Sequence, residues 1–216
     1  DEERWETYTC SSLESIGDLS NVNYIASNAF SNCTALKQIG DLTNVTRIAD
    51  SAFYKCSALE RIGGLEKLTA INRNTFEGCT SLKSIGNLPK VTSIGKSAFY
   101  NCSSLASVGE LSSVTIIGEC AFRGCSSLTS VGNLTNVETI ANRAFSGCTS
   151  LIAIGDMPNL TALGYSAFSH QMYECEPCIS LKSIGDMPKL EKIGAGAFRG
   201  CRSLASVGDL SSVTSI

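Results

Sequence analysis

The amino-acid sequence lacks several features that mark common functional classes. None of its apolar runs reaches the length of about 18 residues that a membrane-spanning helix needs. With one histidine in 216 residues and no glycine-rich phosphate loop, it has little material for a Ser-His-Asp site or a nucleotide site. The net charge of −3 comes from scattered residues of both signs, so no basic surface for nucleic acid is indicated. We therefore expect a protein that is not an enzyme, holds no cofactor, binds no nucleic acid and does not insert into a membrane.

What the sequence does have is a strict internal repeat marked by cysteine. Nine of its 11 cysteines are regularly spaced: seven of the eight intervals are 23 residues long and one is 30. These nine are Cys10, Cys33, Cys56, Cys79, Cys102, Cys125, Cys148, Cys178 and Cys201. Self-similarity at such a period indicates stacked structural repeats. Each repeat is numbered here from its cysteine, which is position one.

Apolar residues occupy the same positions in every repeat. Position four is leucine and position eight glycine throughout, positions seven, thirteen and sixteen are isoleucine, valine or leucine, and position twenty-one is phenylalanine in every completed repeat. Steps of three residues drift by about 60° around an α-helix, so this pattern does not mark one helical face. It predicts instead a coil with short parallel strands around positions four to seven and thirteen to sixteen. The Ala-Phe-x-x-Cys segment should form an irregular return, and stacked coils should give a repeat solenoid of β and irregular structure with little α-helix.

The repeat resembles that of BspA-like leucine-rich repeat proteins. Residues 79–102, CTSLKSIGNLPKVTSIGKSAFYNC, carry the resemblance, which covers about residues 10–216. It implies a leucine-rich-repeat array with short parallel strands stacked into a continuous sheet. It also implies a secreted or surface-attached protein that binds protein or matrix partners in adhesion. This chain departs from the family at positions nine and ten, where a polar residue or glycine and then leucine or methionine replace the usual apolar residue and proline.

The repeat also predicts the domain organisation. Residues 10–216 should form a single solenoid of eight full repeats and a partial ninth, with a seven-residue insertion at about 171–177. Residues 1–9 break the pattern, and their Trp5 and Tyr8 could cover the first coil as a cap. Because the ninth repeat lacks its Ala-Phe segment, we expect the natural chain to continue.

The cysteines allow more than one interpretation. Stacked coils keep equivalent Cβ atoms near about 4.8 Å apart where a disulfide needs about 3.8 Å, which favours buried free thiols over bridges in the regular column. Cys120 and Cys175 lie outside that column, and Cys120 is expected to be partly exposed because its position is mostly polar elsewhere. Cys175 forms His-x4-Cys-x2-Cys with His170 and Cys178, which is half of a zinc site. A plain surface loop is favoured there, with a local disulfide of Cys175 and a metal site as alternatives.

Recognition is expected on exposed residues that change between repeats while the core columns stay constant. Beside the first strand, at positions five and six, the candidates are Glu14, Lys37, Glu60, Arg61, Lys83 and Lys182. The insertion adds residues of the amphipathic kind found at interfaces, namely His170, Met172, Tyr173 and Glu174. We expect a non-enzymatic binding or adhesion scaffold, extracellular or at the cell surface, that engages a protein or extracellular-matrix partner or another copy of itself. The alternative is a structural array that assembles into a wall, filament or cytoskeletal structure.

Two further patterns accompany the repeat. Threonine occupies position fourteen in six of nine repeats, which suits an exposed strand and would also suit a water-ordering surface. The acids at position nine, including Asp156 and Asp186, are expected to lie in a hydrated turn. Five N-x-S/T sequons could carry glycans if a eukaryote secretes the chain, at Asn32, Asn44, Asn101, Asn133 and Asn159.

Overall fold

The computed structural model describes residues 10–169 and 176–216, which form a stack of coils with one coil per repeat. At positions six and seven the strands are β1 (Ser15–Ile16), β3 (Gln38–Ile39), β9 (Ala153–Ile154), β11 (Ser183–Ile184) and β13 (Ser206–Val207). At positions fifteen and sixteen they are β2 (Tyr24–Ile25), β4 (Arg47–Ile48), β5 (Ala70–Ile71), β6 (Ser93–Ile94), β7 (Ile116–Ile117), β8 (Thr139–Ile140), β10 (Ala162–Leu163) and β12 (Lys192–Ile193). Within the two described ranges no residue is helical, and so none forms a helix that could cross a bilayer. The predicted cap of residues 1–9 lies outside the described residues.

Every strand pairs in parallel with its equivalent in a neighbouring coil. On one side β1 pairs with β3, and β11 pairs with both β9 and β13. Isolated bridges join the coils between these two groups. On the other side β2 pairs with β4, and six strands follow in the order β5, β6, β7, β8, β10, β12. The gap between β4 and β5 falls at Asn72, whose side-chain amide donates to the Ile48 carbonyl. In other coils a backbone N–H uses the equivalent acceptor, as Gly95 N–H does toward the Ile71 carbonyl at 2.7 Å.

The strands are shorter than the sequence predicts, with two residues each instead of about four. Turns occupy the remaining positions. The N–H of Leu36, at position four, donates back to the Cys33 carbonyl at 3.1 Å, and the N–H of Val45, at position thirteen, to the Leu42 carbonyl at 2.8 Å. These bonds close local turns, so strand structure is confined to two residues at each of these places.

The predicted inward columns form the core. The phenylalanines from Phe53 to Phe168 are fully buried. Along the whole column from Phe30 to Phe198, neighbouring rings stack with centroids 5.2–5.8 Å apart. The leucine, isoleucine and valine columns pack into the same cluster. A side chain inward at every third position therefore builds one continuous core along the stack.

The cysteine column is buried and also makes hydrogen bonds. Each thiol from Cys56 to Cys201 lies 3.0–3.5 Å from a phenylalanine carbonyl oxygen one coil away, as Cys102 Sγ does from Phe76 O at 3.0 Å. None of the ten described cysteines is in a disulfide. Burial raises the pKa of the Cys56 thiol to about 12 and holds that of Cys79 well above its usual range. The column therefore consists of protonated thiols that fit a small gap and satisfy a backbone acceptor.

Two cysteines differ from the sequence prediction. The period places Cys10 in the buried column, but it is exposed, in the first coil of the described residues. Cys120, expected to be partly exposed, is buried, with 8% of its surface accessible. Its backbone is left-handed with a φ of 55°, and its thiol makes a hydrogen bond with the Arg123 side chain. Polarity at the equivalent positions of other coils could not reveal this contact.

The stack keeps its register across the insertion. β9 pairs with β11 and β10 with β12, although seven extra residues separate these coils. The Cys178 N–H donates to the Phe168 carbonyl at 3.0 Å, which is the bond that the Cys102 N–H makes to the Phe99 carbonyl at 3.1 Å in a regular return. The same hydrogen bond therefore closes the return with and without the insertion.

Candidate interaction surface

The face beside the first strand presents one exposed side chain of position five per coil. Hydrogen bonds between coils hold this position: the Lys37 N–H donates to the Glu14 carbonyl at 2.9 Å, and the Lys83 N–H to the Glu60 carbonyl at 3.0 Å. The position-seven residue of each coil points into the core and fixes the orientation of the strand. The backbone therefore spaces the position-five side chains evenly along the stack.

Four of these side chains form a charged row, defined as Glu14, Lys37, Glu60 and Lys83. Two ion pairs lie within it, with Lys37 Nζ 3.0 Å from Glu14 Oε2 and Lys83 Nζ 2.7 Å from Glu60 Oε2. All four side chains are 50–68% exposed, so the pairs contribute little to stability. The hydrogen bond from Lys83 and its charge lower the pKa of the Glu60 carboxyl, with smaller contributions from Arg61 and Lys37. The Glu60 carboxyl is therefore ionised at neutral pH, and the row alternates acidic and basic side chains.

The structure brings five of the six predicted strand-face residues together and separates the sixth. Arg61 lies at position six beside the charged row, where a shallow depression of about 390 Å³ is lined by Glu14, Ser15, Lys37, Gln38, Glu60 and Arg61. Lys182 lies four coils beyond Lys83. The position-five residues between them are uncharged, and one of these, Ile152, is 48% exposed. The face thus carries a charge in each of its first four coils and uncharged side chains in the three coils between Lys83 and Lys182.

The candidates in the insertion lie outside the described residues. His170, Met172, Tyr173 and Glu174 are all in the segment 170–175, so a loop contact stays a prediction, and so does the role of Cys175. Cys178 is buried in the core column as expected, with Sγ 3.1 Å from the Phe145 carbonyl oxygen. Within the described ranges no three His, Cys, Asp or Glu side chains cluster in a way that could hold a metal ion.

The five sequon asparagines occupy three kinds of local structure. Asn44 and Asn159 use Nδ2 to donate to carbonyl oxygens of the preceding coil at 2.7 and 2.9 Å. Asn133 uses Oδ1 to accept the N–H two residues further on at 2.9 Å. Asn32 and Asn101 precede buried cysteines and have left-handed backbones, with φ values of 60° and 57°. Glycosylation at these positions stays a prediction.

Two kinds of contact between coils were not predicted from the sequence. Threonine hydroxyls at position fourteen donate to the backbone of the preceding coil, as Thr115 Oγ1 does to the Thr92 carbonyl at 3.2 Å. These hydroxyls are therefore used within the stack, which weakens the interpretation of a water-ordering surface. Cations also lie over tyrosine rings, as Arg123 does over Tyr100 at 5.4 Å. Tyr100 and Arg123 are 23 residues apart, so this contact could have been predicted from the period of the repeat.

Parallel two-residue strands, constant register and stacked columns of leucine and phenylalanine define a leucine-rich repeat solenoid. The chain belongs to the BspA-type leucine-rich repeat family. The sequence profile described as BspA type leucine rich repeat region matches it over residues 6–129, 46–174 and 171–216. Proteins of this class are typically non-enzymatic scaffolds, and repeat arrays offer extended surfaces for binding.

Solved structures share this fold. A leucine-rich repeat protein from Eubacterium ventriosum is 28% identical, with a TM-score of 0.66 over 76% of this chain and 45% of its own. One from Bacteroides ovatus is 27% identical, with a TM-score of 0.67 over 92% of this chain and 62% of its own. The pneumococcal vaccine antigen PcpA shares the fold alone. It is 15% identical, with a TM-score of 0.50 over 93% of this chain and 58% of its own. The chain thus spans less than two thirds of each of these structures, and a search of curated proteins finds no significant match.

Proposed function

We propose that the chain is an adhesion scaffold of a secreted or cell-surface protein and binds a protein or extracellular-matrix partner through positions five and six. The position-five column carries this proposal. Its described residues change from coil to coil, from glutamate and lysine in the first four coils to alanine, threonine and isoleucine, while the column at position four is leucine throughout. Stacking alone needs no such variation, whereas recognition of a particular surface does.

Binding on this face would depend on area and on charge placement. Its depression is shallow, so a partner would make many small contacts over several coils, as specific interfaces of about 1,600 Å² do. Exposed charges such as Lys37 and Lys83 would act mainly on association rate and on partner choice. The exposed Ile152 side chain offers an apolar contact further along the same face.

A structural array is the second candidate function, and the alternation of the charged row favours it. A row with opposite charges at successive steps can pair with another copy of itself, which is how a repeat protein could assemble. The two candidates differ in the partner, since an adhesion scaffold binds a foreign surface and an array binds its own.

The test is capture on a panel of purified extracellular-matrix proteins immobilised on a sensor. The face variant is Lys37→Glu/Lys83→Glu/Lys182→Glu, and the matched control reverses three exposed lysines of position twelve, Lys67→Glu/Lys90→Glu/Lys189→Glu. The intact chain and the control should bind at least one panel member, and the face variant should bind it at least about tenfold more weakly. Failure to bind any panel member, or equal binding by the face variant, would refute the proposal.

A further inference from the structure

We propose that the charged row pairs with the charged row of a second copy of this chain, with the two solenoids antiparallel and overlapped over their first four coils. This proposal deepens the proposed function by naming a partner for the charged part of the face. It rests on that function only in treating the face as an interaction surface. The partner is recognised by charge, because the row reads negative, positive, negative, positive in successive coils.

Alternation of charge selects the orientation of the two copies. If the two solenoids faced each other in parallel about a twofold axis, Glu14 would face Glu14 and Lys37 would face Lys37, and like charges would repel. If they are antiparallel about an axis between the second and third coils, Glu14 faces Lys83 and Lys37 faces Glu60. Each pair then occurs twice by symmetry, as in any isologous dimer. Among the twofold-symmetric arrangements, the row is therefore complementary to itself only when the two copies are antiparallel.

Residues next to the charged row fit the same arrangement. At position six, Gln38 would face Arg61, so that the guanidinium group can donate to the amide oxygen, and Ser15 would face Ser84. Position three in these coils carries only small residues, which allow close approach, namely Ser12, Ala35, Ala58 and Ser81. Two neighbouring columns thus support the register that the charges select.

The charged row also fixes how far the overlap extends. Moving the twofold axis by one coil, to between the third and fourth, keeps the pairing of Glu60 with Lys83 but places Lys37 against Ala106 and Glu14 against Thr129. Placing the axis on one of these four coils creates no opposite pair, because charges of equal sign lie two coils apart: with the axis on the third coil, Lys37 faces Lys83 and Glu60 faces Glu60. The four-coil overlap is the register with the most opposite pairs.

The existing ion pairs are compatible with this dimer. Glu14 is paired with Lys37 and Glu60 with Lys83 within one chain, and a facing copy would add a second lysine to each carboxylate. The result is a network of alternating charges across the interface. Because each exposed pair is weak and screened by salt, the dimer should form at low ionic strength and dissociate at high ionic strength.

Carbodiimide cross-linking reports the pairing directly, because it joins a carboxylate to a lysine amine as an amide without a spacer. Glu14 and Lys83 are three coils apart within a chain, about 14 Å, which is too far for such a link. We expect a Glu14–Lys83 link at low salt, found by mass spectrometry between isotopically labelled and unlabelled chains. The links within the chain, Glu14–Lys37 and Glu60–Lys83, control for reactivity. Abundant control links without a Glu14–Lys83 link would overturn the proposal.

Charge exchange gives an independent test by sedimentation velocity. Glu14→Lys/Glu60→Lys makes the row all positive and Lys37→Glu/Lys83→Glu makes it all negative, so each variant alone should be a monomer. Their equimolar mixture should form a heterodimer at low salt. The control Glu138→Lys/Glu191→Lys has the same net charge as the first variant and should dimerise like the parent.

A parent chain that is monomeric at every concentration at low salt, or row variants that dimerise alone, would overturn the pairing. Matrix capture measured on the same samples separates the two proposals. Capture without dimerisation refutes only the pairing, and dimerisation without capture refutes only the matrix-binding function.

Discussion

Replacement of Phe99 by alanine tests the stacked phenylalanine column at its centre. Phe99 is fully buried, and its ring centroid lies 5.4 Å from that of Phe76 and 5.2 Å from that of Phe122. Buried Phe→Ala changes cost about 3–5 kcal/mol, depending on how far the site can collapse. Two rings would each lose a stacking partner, and backbone hydrogen bonds hold the neighbouring coils apart, so we expect about 4–5 kcal/mol.

The matched control is Phe198→Ala in the same column. Phe198 is only partly buried and stacks on Phe168 at a centroid distance of 5.8 Å. Its replacement should cost about 1–2 kcal/mol, because less apolar surface returns to water.

Urea unfolding followed by circular dichroism gives the free energies of unfolding of both variants. Amide hydrogen exchange locates the loss, which should be concentrated in the coils next to the substitution because repeat arrays are stabilised by nearest neighbours. A loss below about 1 kcal/mol for Phe99→Ala, or equal losses for the two variants, would refute the reasoning.

Four further predictions follow from burial, charge and register. A bulky maleimide should label Cys10 of the native protein long before Cys79, and equal rates would contradict a buried column. Folding raises the pKa of the Cys56 thiol from 9.0 to about 12. The contribution of this thiol to the free energy of unfolding, measured by urea titration, should therefore be constant below pH 9 and fall as the pH rises toward 12. Glu60→Gln should leave the urea midpoint unchanged within error, because its ion pair is exposed. Deletion of residues 171–177 restores the 23-residue interval, so the chain should fold with an unchanged melting temperature; if it also keeps every partner of the parent, the predicted loop contact is wrong.

Much of the fold was predictable because each coil packs against copies of itself. The residue that fits beside one copy must fit beside the next, so leucine at position four and phenylalanine at position twenty-one recur and can be read directly. The family followed from the same columns. The inward direction of Cys178 was predictable for this reason as well, despite the insertion before it.

Features that depend on contacts between different residues were not predictable from the columns. Cys120 is buried and its thiol makes a hydrogen bond with the Arg123 side chain, and no repeat position encodes that contact. Strand length was overestimated because the turn bond from the Leu36 N–H competes with extended pairing. The charged row was visible as separate candidates, but its pairing into Glu14–Lys37 and Glu60–Lys83 emerged only when successive coils were placed in register.

The central claim is that position five forms one straight and rigid row that continues across the insertion. Spin labels introduced as unnatural amino acids at Lys37 and Thr129, four coils apart, and at Lys37 and Lys182, six coils apart, measure this row by double electron–electron resonance. At high salt, where self-pairing is suppressed, the account predicts narrow distributions near about 19 Å and about 29 Å, in proportion to the number of coils. A broad distribution for the second pair, or a distance out of proportion to the first, would contradict it.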